Sequence, residues 1–337
     1  MTTPRYWLAL YPDVSRPIGG AKQVHRLAEA LSACGRDATL IQQNADFHPG
    51  WFSSEVSTVS LSDWRQRKDL SPKRDVLILP ETFLPDLLRD APDLPRILFN
   101  QNGAYSFGLG AGSSFPAPAE VLRLYRSPPV RHVLCVSQHD EALLSRGFGL
   151  GRDRVSRLIN AIETDLFRAG GKKRKQVAYM PRKNKGDVAA VTALLQAQAW
   201  WNDSGWSLRP IENCSQQQVA EILRESLVFL SFGHPEGFGL PLAEALASGC
   251  ALAGYSGLGG RELFRLAFDH NVGVEVAYGD WLGFVEAVAA LDHSLKKQAG
   301  PLIEALQGCA SAVRERYSPD AMRSSVATAL ARWEAQL

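Results

Sequence analysis

The chain has 337 residues, enough for two domains of similar size and too many for one ordinary core. Apolar residues make up 45% and charged residues 21%, the balance of a soluble globular protein, and a net charge of only +2 argues against a general attraction to nucleic acid. The five cysteines (34, 135, 214, 250 and 309) are odd in number and form no CxxC pair, which points to reduced thiols in a cytoplasmic protein rather than a disulfide frame or a zinc site.

Short aliphatic runs alternate with amphipathic stretches from the first residues on. Residues 6–12 read as a strand and 21–35 as a helix closed by Gly35, followed by strands at 38–42, 75–80, 96–101 and 132–137. Ser137 with Asp140 three positions later caps the next helix. The polar stretch Gly170–Lys175 reads as a junction, after which the pattern restarts. A strand at 177–180, a helix at 186–200 and a strand at 207–211 come next, then a helix boxed by Ser215 and Gln218 and a strand at 227–232. Ser318 as N-cap and Pro319 at the first helical position open a last helix. Nearly continuous apolar strands separated by helices imply parallel sheets covered on both faces. The expected fold class is α/β, with two doubly wound Rossmann-like domains facing across a cleft: 1–168, 169–317, and a helix at 318–337 returning to the N-terminal domain.

The stretch "GHPEGFGLPLAEALASG" (233–249) carries the most chemistry. Pro241 suits the first turn of a helix and Gly249 its end, so the amides of Gly237, Phe238, Gly239 and Leu240 point outward at the positive end of a helix dipole, a seat for phosphate. Glu236 in the loop and Glu244 about one turn into the helix can line one pocket, where carboxylates accept paired hydrogen bonds from vicinal hydroxyls. Taken alone, the same residues serve a chain reversal and a surface ion pair. Arg182, Lys183 and Lys185 form a basic loop whose fixed cations suit a leaving diphosphate; Arg182 forks two oxygens, and spacing leaves the lysine role open between Lys185 and Lys183. Gly19 and Gly20 open a helix where bare backbone can approach a diphosphate, although the pair is not GxGxxG.

Glu236, Gly237, Phe238, Gly239, Leu240, Pro241, Glu244, Ala245 and Gly249 resemble the EGFGLP-x-x-EA signature of the retaining glycosyltransferases of family 4, which have the GT-B fold. "GLGGRELF" (257–264) is similar to that family's downstream Gly-Gly-x-x-Glu, residues 16–41 to its glycine loop and first helix, and 155–167 to its interdomain segment, with Ala161 and Glu163 in place of glycine and aspartate. The resemblance spans nearly the whole chain, densely after residue 155 and thinly from 43 to 130. It implies a retaining, metal-independent, hexosyltransferase-like enzyme moving a sugar from a nucleotide-diphosphate sugar (UDP, GDP or another base) to a hydroxyl of a glycan or lipid-linked acceptor, in bacterial cell-surface polysaccharide or glycoconjugate synthesis. It implies no cofactor and no metal site. Catalysis would rest on Glu236, Arg182 and Lys185. Donor binding would involve Gly19, Gly20, Lys183, His234, Gly237, Phe238, Gly239, Leu240 and Glu244, with Glu244 on the ribose.

Many members of that family place a histidine in the stretch that corresponds to 98–108, where this chain has Gln101 and Asn102, which become the expected acceptor or sugar contacts. A GT-B-fold sugar-nucleotide epimerase and a non-catalytic nucleotide-sugar-binding relative are the rival readings. No apolar run approaches the roughly 18 residues of a spanning helix, and the N-terminus lacks the layout of a secretory signal. The charge runs 65–74 and 171–175, helped by Trp51, Phe52 and Trp64, suggest at most a peripheral contact with the inner face of a membrane.

Overall fold

The apolar runs become two all-parallel sheets in a computed structural model of the chain, which describes residues 3–109 and 115–337. The first unit comprises Met1–Ala161 and Asp320–Leu337, the second Ile162–Pro319. In the first, β1 (Arg5–Ala9), β2 (Asp37–Gln42), β3 (Thr58–Ser60), β4 (Asp75–Pro80), β5 (Arg96–Asn100), β6 (Val130–Cys135) and β7 (Val155–Arg157) pair in the order β3-β2-β1-β4-β5-β6-β7. Its helices are α1 (Gly19–Ala33), α2 (Leu61–Gln66), α3 (Pro118–Tyr125) and α4 (Gln138–Ala142). In the second, β8 (Arg174–Tyr179), β9 (Ser207–Pro210), β10 (Ser226–Ser231), β11 (Ala251–Gly254) and β12 (Gly273–Glu275) pair as β12-β11-β10-β8-β9. Around them lie α5 (Lys185–Gln196), α6 (Ala199–Asp203), α7 (Gln216–Glu225), α8 (Leu240–Ala247), α9 (Arg261–Asp269) and α10 (Trp281–Arg316), the last broken at Gln298. β5, β10 and β11 are buried along their whole length, as strands covered on both faces must be.

The last helix, α11 (Pro319–Glu334), packs into the first unit. Trp333 Nε1 donates to the Tyr6 hydroxyl (2.9 Å), which donates to Glu334 (2.8 Å), and Arg36 pairs with Glu334 at 2.7 Å. Two of the caps expected from sequence are present: the Ser137 hydroxyl accepts from the Asp140 amide, and Ser215 and Gln218 form a reciprocal box on α7.

Two expectations shift, the junction and one helix, and the charge runs are partly engaged. The junction falls after Ala161 rather than at 169, because Ile162 donates to the Tyr317 carbonyl (2.9 Å), Arg224 reaches the Leu166 carbonyl (3.2 Å) and Phe167 is fully buried, all within the second unit. The charge run 171–175 is mixed: Lys172 and Arg174 are exposed, whereas Lys173 and Lys175 are held within the second unit. Lys173 Nζ donates to the carbonyls of Leu223, Ser226 and Ser248 (3.1, 2.8 and 2.8 Å), and Lys175 pairs with Asp292 at 3.1 Å. Within 65–74, Arg65 pairs with Asp90 (2.8 Å) and Arg67 with Asp69 (2.7 Å), Lys68, Lys73 and Arg74 are exposed, and Phe52 and Trp64 are buried. The single helix expected at 186–200 is two, since Gln198 takes an extended conformation that lets Trp201 turn in and stack on Trp206 at 5.8 Å. No helix among the described residues is long and apolar enough to cross a membrane.

Each sheet has a point where strand order reverses, between β1 and β4 in the first unit and between β8 and β10 in the second. Doubly wound sheets bind ligands outside the carboxyl ends of their strands at such points.

Candidate active site

The second unit's reversal point is bounded by the loops that leave β8 and β10. After β8 the chain runs through Arg182 and Lys183 to Asn184, whose left-handed backbone (φ 48°) turns it into α5. The Asn184 side chain donates to the Phe232 carbonyl at 2.6 Å, tying this loop to the end of β10. After β10 come Gly233, His234, a cis Pro235 and Glu236. Glu236 is held on both sides of its peptide plane: its amide donates to the Gly257 carbonyl (2.8 Å), and its carbonyl accepts from Gly259 (3.0 Å). Gly239 then adopts φ 87°, free for glycine and strained for other residues, and α8 starts with Pro241 in its first turn.

These turns bring opposite charges together. Lys183 Nζ lies 2.8 Å from Glu236 Oε1 and 3.3 Å from the Pro235 carbonyl it donates to. Both side chains are about a quarter exposed, and they line one pocket with Met180, Arg182, Gly233 and Gly239. Arg182 is exposed and makes no ion pair or hydrogen bond among the described residues. The pocket thus carries two cations against one carboxylate, beside the positive end of α8. That combination suits a dianionic group next to hydroxyls.

The remaining residues singled out in this unit are placed as follows. Lys185 is the first residue of α5, exposed and outside the pocket lining, so the lysine inside the pocket is Lys183. Glu244 lies in α8, mostly covered (8% exposed), and does not line the pocket. The Phe238 ring is buried 5.1 Å from the Tyr317 ring, so only its main chain can meet a ligand. His234 stacks on Tyr278 at 4.4 Å; burial, then Arg261, hold its pKa below the usual value against the pull of Glu236, which keeps the ring neutral at neutral pH.

The first unit's reversal point gathers another set. Gly19 and Gly20 open α1, and the Gln101 side chain donates to the Gly20 carbonyl at 3.2 Å. Asn102 is 5% exposed and its side-chain oxygen accepts from the Ala104 amide (3.0 Å), so of the two amides Gln101 is the one presented at the strand ends. His25 and His132 are buried in the fold, against Ser54 and between Ser156 and Gln336 respectively. Glu81, absent from the residues expected at the site, follows β4 and accepts from the Gln101 amide at 2.9 Å. Its one signal was a carboxylate placed directly after an apolar strand. Asn184 and the glycines of 257–260 likewise shape the loop around Glu236, through contacts that no local sequence pattern marks.

With this geometry, the chain compares closely in fold with known sugar-handling enzymes. It superposes on a sucrose-phosphate synthase from Thermosynechococcus elongatus with a TM-score of 0.70 at 13% identity, covering 98% of this chain and 99% of that one. The fold is that of the GT-B glycosyltransferases. HepE of Anabaena, solved in complex with UDP and glucose, superposes with a TM-score of 0.66 at 12% identity, covering 97% and 99% of the two chains. In sequence, the chain is 26% identical over 243 residues to an alpha-1,6-glucosyltransferase of Actinobacillus pleuropneumoniae serotype 7 (strain AP76), covering 68% of each. No protein-family model matches it.

Proposed function

We propose that this protein is a retaining glycosyltransferase, similar to family 4, that moves a sugar from a nucleotide-diphosphate sugar to a hydroxyl of a glycan or lipid-linked acceptor. The observation that carries the reading is the Lys183–Glu236 pair, set beside Arg182 in a pocket that the N-terminus of α8 borders at a sheet reversal point. The sequence relative named for glucosyl transfer and the UDP-bound structural neighbour point the same way.

In this reading the donor diphosphate lies against Arg182, Lys183 and the 237–240 amides, with Lys185 at the outer edge and no metal ion required for charge neutralisation. Lys183 exchanges Glu236 for a phosphate oxygen as the donor arrives, which frees the carboxylate to orient the sugar through its hydroxyls. Glu244 takes the ribose hydroxyls. The bond from the anomeric carbon to the phosphate oxygen breaks, the acceptor oxygen bonds to that carbon on the same face, and its proton passes to the leaving phosphate oxygen. Negative charge grows on the diphosphate as the bond breaks, and preorganised cations in a partly dry pocket stabilise it. Gln101 and the Gly19–Gly20 turn are assigned to the acceptor or the transferred sugar. We place the enzyme in the cytoplasm, in the synthesis of a bacterial surface polysaccharide or glycoconjugate.

The test is incubation with a panel of nucleotide sugars, UDP-glucose first, with and without oligosaccharide acceptors. Nucleotide release that is lost in Glu236→Ala supports a transferase. A C2-inverted sugar nucleotide would instead identify an epimerase, and thermal stabilisation by nucleotide without turnover on any acceptor a binding protein.

A further inference from the structure

Glu81 has a role that the donor pocket does not account for. It is 2% exposed at the end of β4 and forms no ion pair among the described residues. Its carboxyl accepts from the main-chain amide of Gln101 at 2.9 Å, and the neighbouring main-chain amides of Asn102 and of Glu81 itself favour its ionised form. The charged group that faces it is another carboxylate, Asp140 of α4, whose Oδ1 accepts from the Gly103 amide at 3.3 Å. The Tyr125 hydroxyl of α3, bonded to Asn100 and Ser106, is buried nearby. Burying a carboxylate beside a like charge is unfavourable, and a neutral side chain would cost less. What a carboxylate adds is the capacity to accept several N–H groups at once.

That capacity is used on the segment which presents Gln101. The Gln101 side chain reaches from the end of β5 to the Gly20 carbonyl, so close that a Cβ on Gly20 would lie 3.4 Å from it. We propose that Glu81 is a positioning residue: its ionised carboxylate fixes the main chain at 101–102 and so sets the Gln101 amide over Gly20, the arrangement that meets substrate in the first unit. This rests on the transferase reading, in which the first unit takes the acceptor. Burial, reinforced by Asp140, pushes the Glu81 carboxyl up to about 7 against the pull of the amides. The clamp therefore loosens as pH falls through neutrality.

The experiment compares wild type, Glu81→Gln, Gln101→Leu and the double variant in three measurements. Transfer rate is followed from pH 6 to 8, nucleotide affinity by calorimetry, and hydrogen exchange of the 101–103 amides by mass spectrometry. The expected result is a wild-type kcat that rises with a midpoint near pH 7, and a Glu81→Gln kcat at least tenfold lower at pH 8 and flat with pH. Exchange at 101–103 is faster in Glu81→Gln, nucleotide affinity is unchanged, and the double variant is no worse than Gln101→Leu alone. Wild-type exchange and an unaltered pH profile in a folded Glu81→Gln would overturn the proposal. Failure of the wild type to bind any nucleotide would overturn the transferase reading instead, and the exchange comparison would still decide the role of Glu81.

Discussion

Replacing Gly259 by alanine tests the loop architecture without touching a charged group. Its amide donates to the Glu236 carbonyl, and its α-carbon sits against the main chain of Gly237. A Cβ there would lie 2.5 Å from the Glu236 carbonyl oxygen and collide with Gly237, whereas ordinary contact begins at 3.4 Å. The obstructing atoms are backbone, so relief requires moving residues 236–238 by on the order of 1 Å or more. A displacement of that size in a reacting group costs on the order of 10²-fold in rate, or about 2.7 kcal/mol of barrier, and overpacking of this kind costs roughly 1–3 kcal/mol of stability. The assay is the initial rate of nucleotide release from the preferred donor, with thermal melting in parallel. Gly300→Ala is the control, because a Cβ there meets nothing within 4 Å. A folded Gly259→Ala protein with a rate within threefold of wild type would refute the reasoning.

Three further outcomes follow from named contacts. Lys183→Met lowers kcat/KM for the donor about 10²-fold and Lys185→Met less than tenfold; steady-state kinetics giving the reverse order would move the phosphate role to Lys185. Glu81 ionises near its usual 4.5 in the unfolded chain but at about 7 in the fold, so the folded state holds its proton longer. Wild-type stability therefore falls by about 3 kcal/mol relative to Glu81→Gln as pH rises from 4.5 to 7; parallel urea-unfolding curves at pH 5 and pH 8 would contradict this. Asp292 accepts from Lys296, Trp206, Lys175 and Ser204 (2.7, 2.9, 3.1 and 3.0 Å), and these bonds outweigh its burial and hold it at about 2. Its contribution is complete above its unfolded value of 3.8 and is lost as pH falls toward 2. Asp292→Ala, which leaves the buried Trp206 N–H unpaired, is expected to cost about 1–3 kcal/mol in urea unfolding at pH 7; a smaller change would show that water replaces the carboxylate.

What was legible in the sequence was local. Continuous aliphatic runs gave the sheet strands, the Ser137–Asp140 and Ser215–Gln218 spacings gave two helix starts, and Gly249, at φ 76°, marks the turn just beyond α8. The strand-loop-helix at 226–249 places the amides and Glu236 together because one turn holds them all. What was not legible depends on partners distant in sequence. Lys183 and Lys185 look alike until Glu236 singles out one of them, and Lys173 looks like a linker charge until three carbonyls, 50 to 75 positions away, enclose it. Glu81 reads as a loop residue until the amides after β5 close on it. From 43 to 130 the short elements β3, α2 and α3 have too few residues to set a period.

The central claim is that the pocket holding Lys183 and Glu236 binds a nucleotide sugar and uses Glu236 on the sugar. The most direct measurement is nucleotide release from the best donor by wild type and Glu236→Ala, at donor concentrations set from calorimetric affinities. The account predicts nucleotide affinity within threefold of wild type and a rate at least 10²-fold lower. Equal rates at saturation, or a loss confined to affinity, would contradict it.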